Sequence, residues 1–158
     1  MSRTFTAVLA ALALSGGAAA PAVADDASLK RAAEQGQRGV KAPLKSFSKA
    51  VDALDADKPA TARRVRAATG RLRTATARYA ELVAAEEASS PRFASARRAL
   101  LKGLRTQLAG LGTYDRGIAQ LLDGSPERAR RTLVAAGRQF DRSVKQLEGA
   151  EGVLIAED

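Results

Sequence analysis

The sequence predicts an all-α protein, an up-down antiparallel four-helix bundle that follows an N-terminal signal peptide. Three observations lead there. Breaks containing proline cut the chain into four stretches of similar length. Each stretch places apolar or small residues three and four positions apart, the mark of one helical face. No stretch alternates with period two, so strands have no candidate. Rods of roughly 30 residues, about 45 Å long at 1.5 Å per residue, pack as antiparallel neighbours when their connections are short.

Residues 1–24 read as an address rather than as part of the fold. Met1-Ser2-Arg3 is a short basic start, Phe5 to Leu14 is uncharged and apolar, and Ser15-Gly16-Gly17 loosens the helix. Ala22-Val23-Ala24 then offers the small residues a signal peptidase accepts, so cleavage is expected after Ala24. The apolar run is shorter than the roughly 20 residues that a membrane span needs. No Cys follows it to carry a lipid and no twin Arg precedes it. The expectation is a secreted, extracytoplasmic chain, residues 25–158, forming one domain with no transmembrane anchor after cleavage.

The four stretches are expected near 27–54, 60–88, 91–122 and 126–154. Asp55-Ala56-Asp57-Lys58-Pro59, Ser89-Ser90-Pro91 and Asp123-Gly124-Ser125-Pro126 separate them. In the last two breaks a Ser stands where a capping oxygen is wanted and Pro takes the first helical position, where a missing N–H costs nothing. The first seam reads Leu29, Ala33, Gly36, Val40, Leu44, Phe47, Val51, Leu54, and the second Val65, Ala68, Leu72, Ala75, Tyr79, Leu82. The third reads Leu101, Leu104, Leu108, Leu111, Ile118, Leu122, with Phe93 at its start. The fourth reads Ala129, Leu133, Ala136, Phe140, Leu147, Leu154. Two irregularities stand out. Pro43 is expected to kink the first helix or split it in two, and Gly110-Leu111-Gly112 with Gly117 to break or bend the third.

An internal similarity runs at a shift of 67 residues. Pro59, Ala62, Arg63, Arg64, Ala68, Gly70 and Arg71 fall on Pro126, Ala129, Arg130, Arg131, Ala135, Gly137 and Arg138. Leu44, Phe47, Val51 and Leu54 fall on Leu111, Tyr114, Ile118 and Leu121. A duplicated helical hairpin explains this; so does chance in an Ala/Arg-rich chain, and Leu72 falls on Gln139 rather than on an apolar partner.

Composition removes much chemistry. With no Cys and no His, thiol nucleophiles, His/Cys zinc sites, haem ligation through His and Ser-His-Asp triads cannot be written. Asp52, Asp55 and Asp57 lack the Gly and the terminal Glu of a calcium loop and read as turn and capping residues. Asp115, beside Tyr114, is the one carboxylate at an interior register position, and no partner makes it half of a hydrolytic pair. No catalytic residue, cofactor or metal site is expected, so the protein is read as a non-enzyme.

Charge is where the sequence speaks most. The chain carries 26 Lys and Arg against 17 Asp and Glu, a net +9, and residues 59–114 alone hold 11 basic and 3 acidic side chains. Arg64, Arg71 and Arg78 repeat every seven residues on one flank of the second helix, about 10 Å apart. Arg66 and Arg73 form a row on the other flank, and Arg98, Lys102 and Arg105 share a face of the third helix. Guanidinium offers paired donors to phosphate oxygens and is always charged. Against that reading, a slim bundle must put its charges outside, and Arg is a good helix former. Nothing favours sequence-specific nucleic acid: helix-turn-helix spacing, zinc ligands and aromatic RNA-binding motifs are missing.

The run Arg64-Val65-Arg66-Ala67 with Arg71-Leu72-Arg73 resembles the basic helices of polyphosphate-binding CHAD domains. The likeness covers residues 64–73, lacks the His that names that family and leaves no room for its repeat pair, so no residue role is carried over. Two functions are compatible with the sequence. The first is an interaction or structural module of the cell envelope or extracellular space, whose partner is an unknown protein or a second copy. The alternative is a binder of an anionic envelope polymer or of anionic lipid head groups through the Arg-rich face.

Overall fold

The computed structural model describes residues 25–55 and 57–155; the expected signal peptide, residues 1–24, lies outside them. The described residues form four helices and no strand: α1 (Asp26–Asp52), α2 (Pro59–Ala85), α3 (Pro91–Leu122) and α4 (Pro126–Leu154). This is consistent with a four-helix bundle. The last two helices begin and end where the proline and apolar pattern places them. The first two stop a few residues earlier than the pattern alone suggests.

Local chemistry sets these limits. Asp25 caps α1, its Oδ1 accepting from Ala27 N at 2.9 Å. Ser90 caps α3 by accepting from Phe93 N at 3.3 Å. Ser125 stands at the cap of α4 without a side-chain bond; its carbonyl, not its hydroxyl, takes Ala129 N at 3.0 Å. At α2 the cap position is Lys58, and Thr61 inside the first turn donates back to the Lys58 carbonyl at 2.7 Å. Gly124 ends α3 with a φ of 71°, a left-handed conformation that Gly adopts without the strain a Cβ brings.

At two places where a break was one of the expected outcomes, the helix is continuous. Pro43 does not split α1, which runs as one helix from Asp26 to Asp52. The proline removes one backbone hydrogen bond, to the carbonyl of Gly39, and Gly39 is exposed, so water can serve that carbonyl. Gly110-Leu111-Gly112 and Gly117 do not break α3, which is continuous to Leu122. The neighbouring helix explains why.

A Cβ built on Gly103, Gly110 or Gly117 would stand 2.8 Å from Leu147, 3.0 Å from Phe140 and 2.7 Å from Leu133, respectively. Three glycines spaced by seven on α3 thus receive three large side chains spaced by seven on α4, running the opposite way. The pair is antiparallel and packed backbone-close, and that contact offsets the helix propensity that interior Gly forfeits, about 1 kcal/mol each. Gly36 of α1 does the same for the Tyr79 ring of α2. Polar bridges lace the α3–α4 pair as well: Thr106 donates to Gln146 at 3.0 Å and Thr132 to Gln120 at 2.8 Å.

Burial recurs at the 67-residue shift. Ala62, Thr69, Thr76 and Val83 of α2 are buried, and so are their counterparts Ala129, Ala136, Ser143 and Ala150 of α4. Gly36 matches Gly103, which is buried like it. The two hairpins therefore use the same positions for the same purpose, which supports duplication. Where they differ the second is less well made: Leu72 is buried and apolar, whereas its counterpart Gln139 has a buried Oε1 with no hydrogen-bond partner.

The core has two centres. One joins Leu29, Tyr79, Val83, Leu100, Leu104 and Leu154 at one end of the helices. The other joins Ala62, Val65 and Ile118, with Val51, Tyr114 and Leu133 against them, at the opposite end. Helices α1 with α2, α2 with α3 and α3 with α4 pack along their lengths, whereas α1 scarcely touches α4. The seam between α1 and α4 stays open at mid-length. That is why Leu44, an expected seam residue, is 45% exposed.

Candidate functional site

The arginines are placed by the register of α2. Its core face is set by Val65, Leu72, Tyr79 and Val83, all at most 2% exposed. Arg71 and Arg78 border α1, with Arg64 seven residues earlier on the same flank, and Arg66 reaches α3, with Arg73 seven residues later on its flank. Arg71 and Arg78 border a groove of about 700 Å³ between α1 and α2 whose bottom includes Gly36, Gly39 and Gly70. A Cβ on Gly39 or Gly70 would meet nothing within 4 Å, so these glycines leave the groove wide rather than seating a neighbour. Arg73 and Arg78 also flank a shallower hollow over Gly70 and Thr74.

Of the eight basic residues singled out in the sequence, Arg66 is drawn onto a carboxylate: its Nε donates to Asp115 Oδ1 at 3.0 Å, joining α2 to α3. Asp115 is thereby accounted for as the counter-charge of Arg66. Among the described residues, Arg64, Arg71, Arg73, Arg78, Arg98, Lys102 and Arg105 form no ion pair. All seven are exposed. Arg98 lies at the far end, near Glu87, and Lys102 and Arg105 continue along the outer face of α3. Arg97, which the sequence did not single out, has another use: it donates to the carbonyls of Val83 at 3.1 Å and Ala84 at 2.8 Å, closing the end of α2.

A second basic row went unread. Arg131, Arg138 and Lys145 of α4 stand 67 residues after Arg64, Arg71 and Arg78 and are exposed. Arg131 and Arg138 line a hollow with Arg130 and Val134, and none of the three has an ion pair among the described residues. The signal was present in the internal similarity, which already carried Arg64 and Arg71 onto Arg131 and Arg138. The net charge of that region does not reveal the row, because Glu127, Asp141 and Glu148 stand within a turn of it.

The aspartates of the first turn build that turn. Asp55 accepts from Asp57 N at 3.0 Å and pairs with Lys58 at 2.8 Å; the Lys58 ammonium, then the Asp57 amide, hold its carboxyl below the ordinary value. Among the described residues no three acidic side chains gather in a metal-binding group. Burial, and after it the charge of Glu151, pushes the Tyr79 hydroxyl above the usual phenol range. Burial likewise raises Glu151, against the pull of the neighbouring Tyr79 and Gln37.

The described residues are all-helical, consistent with a four-helix bundle, and carry on α2 and again on α4 a row of basic side chains that form no ion pair. Among the described residues, no helix is long and apolar enough to cross a membrane. No protein-family model, curated protein sequence or solved structure matches the chain.

Proposed function

We propose that this chain is an exported, non-enzymatic helical-bundle module of the cell envelope or extracellular space, and that it binds an anionic polymer or an anionic lipid surface through its basic rows. The observation that carries this reading is the row Arg64, Arg71 and Arg78. Its guanidinium groups have no carboxylate partner among the described residues, and two of them border an open groove. Charges kept only for solubility gain from pairing with acids on the next helical turn. Here the acids are missing from Pro59 to Ala80. The α4 row repeats the spacing but has Glu127, Asp141 and Glu148 within a turn of it, so the reading rests on α2.

Salt separates this from the apolar docking of a protein partner or a second copy. Counterion release makes polyanion binding fall steeply as salt rises, and helix packing held by apolar contact does not. The test uses the chain from residue 25 with inorganic polyphosphate, and in parallel with vesicles of phosphatidylglycerol in phosphatidylcholine. Replacing Arg64, Arg71 and Arg78 together by Gln is expected to weaken binding and to lower the slope of log affinity against log salt by about 2, at roughly 0.7 per lost phosphate contact. An unchanged slope overturns the proposal. The arm that binds more tightly tells polymer from membrane.

A further inference from the structure

Midway along the open seam of α1 and α4 lies a cleft of about 440 Å³, inside the roughly 300–1,000 Å³ range of small-molecule sites. Leu72 and Tyr79 of α2 and Gln107 of α3 form its floor. Its walls are apolar, and two of their side chains, Leu44 on α1 and Val144 on α4, are 45% and 49% exposed. Both ends are shut. Leu29 and Leu154 join the core at one end, and the Phe47 and Phe140 rings meet at 6.4 Å at the other. From Gln37 to Phe47 the cleft runs about 15 Å along α1. Its occupant is therefore long, narrow and of limited length.

The two ends differ in chemistry. Phe47, Tyr114 and Phe140 make an aromatic stop, with Phe47 and Tyr114 ring centroids 5.3 Å apart. Gln37, the Tyr79 hydroxyl, Glu148 and Glu151 stand at the opposite end. Tyr79 is 2% exposed, and its oxygen has no hydrogen-bond partner. Glu151 lies beside it, acting on the Tyr79 hydroxyl through its charge and a loose hydrogen-bonding approach, and Tyr79 and Gln37 approach Glu151 in the same way, but no bond to the Tyr79 oxygen is fully formed. Neither Glu148 nor Glu151 forms an ion pair among the described residues, in a chain whose net charge is +9. Lys41, the cation among the lining residues, is one turn from Gln37 as Glu148 is one turn from Glu151; both are exposed and no ion pair joins them.

We propose that this cleft binds a cationic amphiphile, its apolar chain laid between α1 and α4 and its ammonium head against Glu148, Glu151 and the Tyr79 oxygen. The head donates N–H bonds to two carboxylates and to the Tyr79 oxygen, which has no fully formed bond of its own. A neutral or anionic amphiphile fills the same walls and leaves the half-buried Glu151 without a counter-charge. The site does not depend on the basic rows.

The chain has two Tyr and no Trp. Tyr79 lines the polar end and Tyr114 joins the aromatic stop, so intrinsic tyrosine emission reports on both ends of the cleft. The chain from residue 25 is titrated with dodecylammonium, dodecanoate and dodecanol, each below its aggregation concentration. A saturable one-to-one change with dodecylammonium is expected, at least about tenfold tighter than with the other two, as charge-assisted hydrogen bonds imply. Glu148→Gln combined with Glu151→Gln is expected to remove that preference while leaving helicity unchanged. Val144→Lys, at an exposed position one turn before Glu148, supplies a tethered ammonium and is expected to compete with the ligand. Dodecanoate binding as tightly as dodecylammonium, which a basic surface alone would produce, overturns the proposal. So does a dodecylammonium response that fails to saturate, or one that survives both variants.

Discussion

Gly36 of α1 lacks a side chain where the Tyr79 ring of α2 stands: a Cβ added there would fall inside the ring. The ring is fixed by burial, with Leu29, Val83 and Leu100 in the same cluster, so it cannot swing away cheaply. Gly36→Ala is expected to lower stability by about 1–3 kcal/mol through overpacking, less the ~1 kcal/mol that Ala gains in a helix. Gly39→Ala, one turn on with nothing within 4 Å of the new Cβ, is expected to raise stability by about 0.5–1 kcal/mol. Thermal unfolding followed by circular dichroism decides both, and the opposite signs are the test.

The same contrast exists within α3. Gly117→Ala and Gly103→Ala press on Leu133 and Leu147 and are expected to destabilise, while Gly112→Ala meets open space and is expected to stabilise. If all three raised the melting temperature, close approach to α4 would not be the reason for these glycines.

Gln139 occupies the position that Leu72 holds in the first hairpin, with its Oε1 buried and unpartnered. Gln139→Leu removes an unsatisfied acceptor and restores the apolar residue. It is expected to stabilise by about 1–3 kcal/mol, read as a shift in the urea midpoint with unchanged slope.

Arg66 and Asp115 are 52% and 35% exposed at their side chains, so water screens the pair and its worth is below about 1 kcal/mol. Asp115→Asn is expected to cost little stability and to tighten polyphosphate binding, because it removes the negative charge that offsets Arg66 while the amide oxygen still accepts from Nε. Binding no tighter than the parent's would show that Arg66 contributes nothing to the charged surface.

Burial raises the Glu151 carboxyl above its ordinary 4.5. The folded state therefore holds this proton more tightly than the unfolded chain does, and stability falls as pH rises from the ordinary value through the raised one. Glu151→Gln is expected to have a higher melting temperature than the parent at pH 7, with the difference vanishing below about pH 4, where both states are protonated. A difference that stays constant with pH would assign the effect to packing.

How much of this was legible in the sequence depends on the range of the interaction. Helix number, the starts at Pro91 and Pro126 and the buried faces of Val65, Leu72 and Leu111 are set by neighbours within a turn or two, and such information is written in the order of the residues. The charge surplus of α2 is read the same way. Glycine shows the limit. Gly110 reads as a helix weakness in the sequence and proves to be a socket for Phe140, because what matters is the residue across the interface, not the residues beside it. Arg66 and Arg64 look alike in sequence, yet only one finds a carboxylate, 49 residues away on α3.

By itself, then, the sequence determined four helices, their approximate limits and the sign of the surface, because periodicity, caps and charge act over a few residues. The tertiary structure alone decided that α4 seats its large side chains on the glycines of α3 and that α1 stays apart from α4. Those outcomes depend on how rigid rods of unequal bulk fill shared space, a condition that no single helix carries in its own pattern.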